Sequence, residues 1–346
     1  MKANGTEPMM RAVVQYKYGE PEAVLRRRTI PKPEPRDDEV LIRVRAASVH
    51  PDVWHVVHGS PRILRLMGAG VQRPKNPVPG TDVAGEVAAF GRYVTRFQPG
   101  DPVFGETVRG NQWQNGGAFA EYVAAPAHKL ALKPPNISFE QAAAVPTSGL
   151  IAIQGVYDQG QVQAGQSVLV NGAGGGVGVI AVQLAKAAGA TVTAVDSTSK
   201  LEMLRSIGAD RVIDYAEEDF TQGDEQYDLI VDVPGNHPFS EIKRALTPDG
   251  MYVLIGHEEF GDTNARWVGR TLGRYGKMLA QKPFDDQMPS LRIPSKTEDP
   301  LLVLADLIAA GKLTPVIDRT FPLSQVPEAI HYLEEGNVQG KVVISV

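Results

Sequence analysis

The stretch VLVNGAGGGVGVIAVQLAKAAGATVTAVDSTSK, from Val168 to Lys200, constrains the fold of this chain more than any other. A strand-like apolar run enters a glycine loop, an apolar helical stretch follows, and a second strand-like run ends in small polar residues. That order is one βαβ unit. Read back from its last glycine, the loop is Ala173-Gly174-Gly175-Gly176-Val177-Gly178, a G-x-G-x-x-G pattern with alanine in first position. Gly175 lets the main chain approach a pyrophosphate, and Gly178 lets the helix pack closely on the sheet. The helix N-terminus then offers free N–H groups and a positive dipole end to the phosphates. A strand, a helix and a second strand all accompany the glycines, so the motif predicts a dinucleotide site rather than a bare turn.

The rest of the chain divides around this unit. Residues 11–133 read as β-rich, with RAVVQY, EVLIRVRAASV and AGEVAAF separated by turns such as PKPEPRDDE and FQPGDPVFG. Near Pro134 the texture becomes Ala-rich and helical, with Ser138 as an N-cap ahead of Glu140 and Gln141. From Ser167 strands and helices alternate, which predicts a doubly wound parallel sheet covered on both faces. A β-like tail, TPVIDRTFPL and GKVVISV, returns the chain to its first domain. The expected division is 1–133 with 313–346 as one domain and 134–312 as the other. The segment 262–282 reads as a basic helix, with Arg266, Arg270, Arg274 and Lys277 at helical spacing, and is expected to be a solvated face.

Composition narrows the function. A length of 346 residues suits two domains. With 35 basic and 40 acidic residues there is no electrostatic case for nucleic acid as a partner. No apolar run spans a bilayer and the N-terminus lacks the apolar centre of a signal peptide, which leaves a cytoplasmic location as the expectation. The chain has no cysteine, which excludes disulfides, thiol nucleophiles, iron–sulfur clusters and thiolate zinc sites. His50, Asp52, His55 and His58 form a local cluster, but no helix is expected there to align His55 with His58, and they read as polar surface and cleft residues rather than metal ligands.

Which nicotinamide the loop takes is left open by the residues alone. Asp196 lies 18 residues beyond Gly178, where an acid favours the ribose hydroxyls of NAD. Beside it stand Ser197, Thr198 and Ser199, with Lys200 after them, a set that suits a 2′-phosphate.

Taken together, GTDVAGEV at 80–87, GGAFAEYV at 116–123, AAAVPTSGLIAIQG at 142–155, the glycine loop, GADRVIDYAEEDF and GKVVISV resemble a zinc-independent medium-chain dehydrogenase/reductase of the quinone oxidoreductase branch. The resemblance runs from Met10 to Val346. It implies a split GroES-like β domain, an inserted Rossmann domain, and an active site in the cleft between them. It places Gly175, Gly176 and Val177 at the pyrophosphate, Lys200 at the NADP 2′-phosphate and Tyr215 beside it. Ser197 falls where NAD-specific relatives carry their acid, so the resemblance favours NADPH, with NADH as the second choice and Asp196 as a departure. Where zinc-dependent relatives have Gly-His-Glu, this chain has Gly80-Thr81-Asp82, and no zinc is expected. The resemblance also implies a homodimer through the sheet edge around MYVLIG.

Without a Lewis acid, hydride transfer needs a small-molecule substrate that delocalises the incoming charge itself, such as a quinone or an α,β-unsaturated carbonyl. The anion so formed needs a hydrogen-bond donor and a proton. His50 stands where relatives carry Asn and is the first candidate; the alternative is a residue that positions substrate or packs on Trp54. Thr81 and Asp82 are expected to orient the cleft, and Trp54 and Phe119 to form an apolar wall. Ile151 replaces a Thr that contacts the cofactor in many relatives. Two other functions stay open: a zinc-free dehydrogenase of an alcohol or aldehyde, and a nicotinamide-binding protein with a structural or regulatory role.

Overall fold

The eleven residues of EVLIRVRAASV are buried at every position but Arg43 and Arg45, and with neighbours paired on both edges this strand anchors the first sheet. The structure is a computed structural model that describes residues 8–63, 65–110, 113–256, 285, 287 and 296–346. The basic segment 262–282 lies outside the described residues. In chain order the strands are β1 (Met9–Gln15), β2 (Leu25–Pro31), β3 (Glu39–Val49), β4 (Asp82–Phe90), β5 (Pro102–Glu106), β6 (Tyr122–Pro126) and β7 (Leu130–Leu132). They continue as β8 (Ser167–Asn171), β9 (Thr191–Asp196), β10 (Arg211–Asp214), β11 (Tyr227–Asp232), β12 (Leu246–Leu254), β13 (Ile317–Pro322) and β14 (Lys341–Ser345).

The chain forms two compact units, Met1–Thr147 with Ile317–Asn337 and Lys341–Val346, and Ser148–Val316 with Val338–Gly340. The first is GroES-like and β-rich. Its larger sheet runs β13-β14-β3-β4-β5-β7, with β6 also paired to β3, and a hairpin of β1 and β2 stands beside it. The tail therefore does return: Val342–Ser345 of β14 pair antiparallel with Ala46–Val49 of β3.

The second unit is a Rossmann domain. Among the described residues five parallel strands run in the order β10-β9-β8-β11-β12, a doubly wound sheet with β8 in the middle of the five. Val168, Leu169 and Val170 are fully buried, as a central strand covered on both faces requires. The helix Gly176–Ala187 follows β8 and buries Ala181, Val182, Leu184 and Ala185 completely. Ser138 caps its helix through a reciprocal box, its Oγ accepting from Gln141 N–H at 3.2 Å while Gln141 Oε1 accepts from Ser138 N–H at 3.0 Å. No helix among the described residues is long and apolar enough to cross a membrane.

Candidate functional site

In the Rossmann unit the glycine loop lies at the carboxyl end of β8, the end at which open α/β sheets bind ligands. Its shape is fixed by main-chain bonds. Gly172 and Ala173 N–H groups both donate to Val195 O, at 3.0 and 3.1 Å, and Gly340 N–H donates to Gly174 O at 2.8 Å. Ala173 is fully buried beneath this arrangement. A Cβ on Gly178 would stand 2.2 Å from Gly172 O, so glycine there is a packing requirement. Gly175 differs. Its φ is −84°, and a Cβ would meet nothing nearer than Gly172 O at 3.7 Å. The fold itself tolerates a side chain at 175, so the glycine is explained by something that must come close. Gly176, Val177 and Gly178 form the first turn of a twelve-residue helix, where N–H groups lack helical partners and the dipole is positive. This donor set fits a pyrophosphate.

The strands that meet this end finish in buried polar residues: Asn171, Asp196, Asp214 and Asp232. Asp232 Oδ1 accepts from Asn171 Nδ2 and Gly235 N–H, both at 2.9 Å, and Oδ2 accepts from the Tyr252 hydroxyl at 2.8 Å. Asp196 turns toward the loop. Its Oδ2 accepts from Gly174 N–H at 2.7 Å, its Oδ1 accepts from Ser197 N–H at 2.8 Å, and Lys200 Nζ stands 3.4 Å from Oδ1. Thr198 Oγ1 donates a short bond to Asp214, and that bond holds the Asp214 carboxyl below the ordinary carboxylate range. Tyr215 exposes its ring, and its N–H donates to Asp196 O at 3.2 Å. The structure brings Ser197, Thr198, Lys200 and Tyr215 together, but the side chains of the first three already face a carboxylate.

In the β-rich unit His50 directly follows β3 and caps a helix over Pro51–His58. No helix was expected there, and the one that forms has a local cause. Pro51 presets the first turn, the His50 ring accepts from Asp52 N–H, and Gly59 closes the helix in the left-handed region at φ +64°. His50 Nδ1 lies 3.3 Å from Asp52 N and 3.3 Å from Asp52 Oδ2. The other two histidines are already engaged. His55 Nδ1 is 2.8 Å from Ser60 O, and His58 Nε2 is 2.8 Å from Glu334 Oε1. Trp54 lies between them with ring centroids 4.6 and 4.9 Å away, and its Nε1 donates a short bond to the same Glu334 oxygen. Among the described residues no group of three or more His, Cys, Asp or Glu side chains is placed to hold a metal.

Asp82 opens β4 and is wholly buried. Its Oδ1 accepts from Thr147 N–H at 3.1 Å and from Thr147 Oγ1 at 2.5 Å. Its Oδ2 accepts from Ser48 Oγ at 2.9 Å and faces Lys341 Nζ at 3.5 Å. Glu106 Oε1 is 3.1 Å from Thr147 Oγ1, and burial, with the Asp82 charge, pushes the Glu106 carboxyl above its usual range. Burial pulls the Lys341 ammonium below the usual lysine range. Thr81 is different: its Oγ1 is buried with no hydrogen-bond partner among the described residues. Trp54 and Phe119 are interior residues at 2% and 0% exposure, so their rings are packed by protein within this unit. Phe119 lies under the turn, where a Cβ on Gly80 would come within 2.7 Å of its Cδ1.

Residues 36–135 match the alcohol dehydrogenase GroES-like domain, and residues 207–344 match a zinc-binding dehydrogenase domain. The chloroplast envelope quinone oxidoreductase homolog of Arabidopsis thaliana is 31% identical over 345 residues, covering 97% of this chain and 98% of that one. The chain belongs to the medium-chain dehydrogenase/reductase family. Within that family it is also 33% identical to the NADPH-dependent alkenal/one oxidoreductase of the same plant, over 97% of this chain and 79% of that protein. Among solved structures, the quinone oxidoreductase from Coxiella burnetii superposes with a TM-score of 0.79 at 29% identity, covering 98% and 100% of the two chains. The chain is thus an NAD(P)H-dependent oxidoreductase of this family.

For this medium-chain dehydrogenase/reductase, four residues of the Asp82 network escape a reading of the sequence: Ser48, Glu106, Thr147 and Lys341. Thr147 and Lys341 stand inside AAAVPTSG and GKVVISV, and the family resemblance of those two blocks was the available signal. Nothing in the sequence ties them to Asp82.

Proposed function

We propose that the chain is an NADPH-dependent reductase of quinones or α,β-unsaturated carbonyls that works without zinc, with NADH as its second cofactor. The observation that carries the cofactor is Gly175, a glycine that its own fold does not demand, at the N-terminus of the helix after β8. Ala173, Gly176, Val177 and Gly178 shape the pyrophosphate cradle around it, while Ser197, Thr198, Lys200 and Tyr215 flank the adenosine ribose. The naming of an NADPH-dependent alkenal/one oxidoreductase among the relatives supports both cofactor and substrate class.

The substrate class follows from the Gly80-Thr81-Asp82 turn. The chain has no thiolate, and the Asp82 oxygens are engaged by Thr147, Ser48 and Lys341. A carbonyl reduced beside such residues gains its charge stabilisation from its own conjugation and from hydrogen bonds. When bound, the nicotinamide supplies the hydride. His50 and Thr81 are the donors we assign to the substrate oxygen. The Nδ1 that accepts Asp52 N–H in the neutral ring stands equally close to Asp52 Oδ2, so as the imidazolium His50 turns Nδ1–H to that carboxylate instead and has Nε2–H for the substrate. Loss of the Nε2 proton leaves a neutral ring still held through Nδ1, so one residue can donate the hydrogen bond and then the proton. Thr81 Oγ1 brings a buried hydroxyl that no described residue uses. Asp82, Trp54 and Phe119 hold these donors in place from the interior. We also assign a homodimer through the sheet edge around MYVLIG, on the family resemblance alone.

Deuterated NADPH carrying its label in the transferable position tests this reading. Mass spectrometry of the reduced enone is expected to find the label on the carbon β to the carbonyl. Product without label, or label at the carbonyl carbon, contradicts it.

A further inference from the structure

Asp196 occupies the strand end at which a carboxylate ordinarily binds the ribose hydroxyls of NAD. Here its lone pairs are directed elsewhere. Oδ2 receives Gly174 N–H at 2.7 Å, Oδ1 receives Ser197 N–H at 2.8 Å, and Lys200 Nζ lies 3.4 Å from Oδ1. Both side chains are 9% exposed. The packing around the pair is equally tight: a Cβ on Gly174 would fall 2.5 Å from Lys200 Cδ and 3.0 Å from Asp196 Oδ2. Gly174 is therefore glycine to admit this ion pair beneath the loop.

We infer that Asp196 sets the choice between NADPH and NADH by holding Lys200 and latching the glycine loop, not by binding ribose. The inference rests on the dinucleotide reading above. Within 196–200 and 214–215, Lys200 is the one cation, set against the two carboxylates of Asp196 and Asp214. The hydroxyl of Thr198 is likewise committed, to Asp214. A 2′-phosphate arriving here meets an ammonium whose charge is already countered and a second carboxylate nearby, so the preference for NADPH is held down. Asp196 is a positioning residue for Lys200, and its removal releases the cation to the phosphate.

Calorimetric titration of NADPH and NADH into the full chain tests this, using wild type, Asp196→Asn, Asp196→Ser and the double variant Asp196→Asn/Lys200→Met. Asparagine keeps an oxygen at the δ position for Gly174 N–H, serine only a shorter hydroxyl, and both remove the charge. Each is expected to tighten NADPH about tenfold, which raises the preference for NADPH over NADH by the same factor. Adding Lys200→Met is expected to abolish that gain. A preference that stays unchanged in both single variants overturns the inference. So does one that rises only because NADH weakens, since that outcome makes Asp196 a ribose ligand. A gain that persists without Lys200 overturns it too. Binding of neither nucleotide by wild type contradicts the dinucleotide reading itself, and the inference falls with it.

Discussion

Asp82 and Lys341 face each other at 3.5 Å in the interior of the GroES-like unit, their side chains 0% and 3% exposed. They are 259 positions apart in sequence, and their pairing ties the start of β4 to the start of β14, the strand that brings the chain back. The ammonium is poorly solvated and its charge is held by Asp82, with Asp52 adding to the same field. Breaking such a pair by removing one partner leaves a buried charge uncompensated.

Lys341→Met is accordingly expected to lower the unfolding free energy by about 3 kcal/mol at neutral pH. The double variant Asp82→Asn/Lys341→Met is expected to recover most of it, because no charge is then stranded. Urea unfolding of wild type, Asp82→Asn, Lys341→Met and the double variant measures the coupling. Equal losses that simply add would show that the pair is not a unit.

Glu106 gives a pH dependence whose sign is fixed. Its carboxyl is raised above its ordinary value, first by burial and then by the Asp82 charge. A group with a raised folded-state pKa contributes stability that is fully present below its unfolded pKa and is lost as pH rises through the folded one. The stability of wild type relative to Glu106→Gln is therefore expected to fall as pH is increased from the ordinary carboxylate range toward neutrality. Chemical unfolding of both proteins at several pH values reads this difference, and a constant difference would contradict it.

The two outer glycines of the G-x-x-G segment separate fold from ligand. Gly178→Ala places a Cβ against Gly172 O and Ala173, and is expected to cost about 1–3 kcal/mol of stability. Gly175→Ala meets only Gly172 O, at an ordinary contact distance of 3.7 Å, and is expected to change stability by less than about 0.5 kcal/mol. Its effect should appear instead in NADPH binding, weakened about tenfold or more where the backbone must approach the pyrophosphate. Thermal melting and calorimetry on the same preparations distinguish the two.

His50→Ala is expected to lower turnover of an enone about a hundredfold, the effect of losing a positioned general acid. The KM for NADPH should move far less, since His50 belongs to the donor set assigned to the substrate. Stopped-flow turnover with saturating NADPH checks this. Unchanged turnover would leave His50 as the cap of the Pro51–His58 helix and nothing more.

What could be read from the sequence was local. The glycine loop, the Ser138 box and the alternation after Ser167 each depend on residues close together in the chain, and each is found where the pattern put it. The helix Pro51–His58 was hidden because eight residues hold barely two turns of periodicity and its cap is a histidine rather than Ser or Asp. The Asp82 network was hidden for a different reason: Ser48, Glu106, Thr147 and Lys341 come from four separate elements, and no spacing rule joins them. Trp54 and Phe119 were legible as apolar, but hydrophobicity alone does not separate a pocket wall from an interior residue. At Asp196 the position was legible and the side-chain direction was not, because Gly174 and Lys200 claim its oxygens.

The most direct measurement follows NADPH absorbance with the full chain and a panel of quinones and enones, in the presence of a metal chelator. Oxidation of NADPH that depends on a conjugated acceptor and survives chelation is the expected result. Tight NADPH binding with no oxidation by any conjugated acceptor would contradict the proposed reductase.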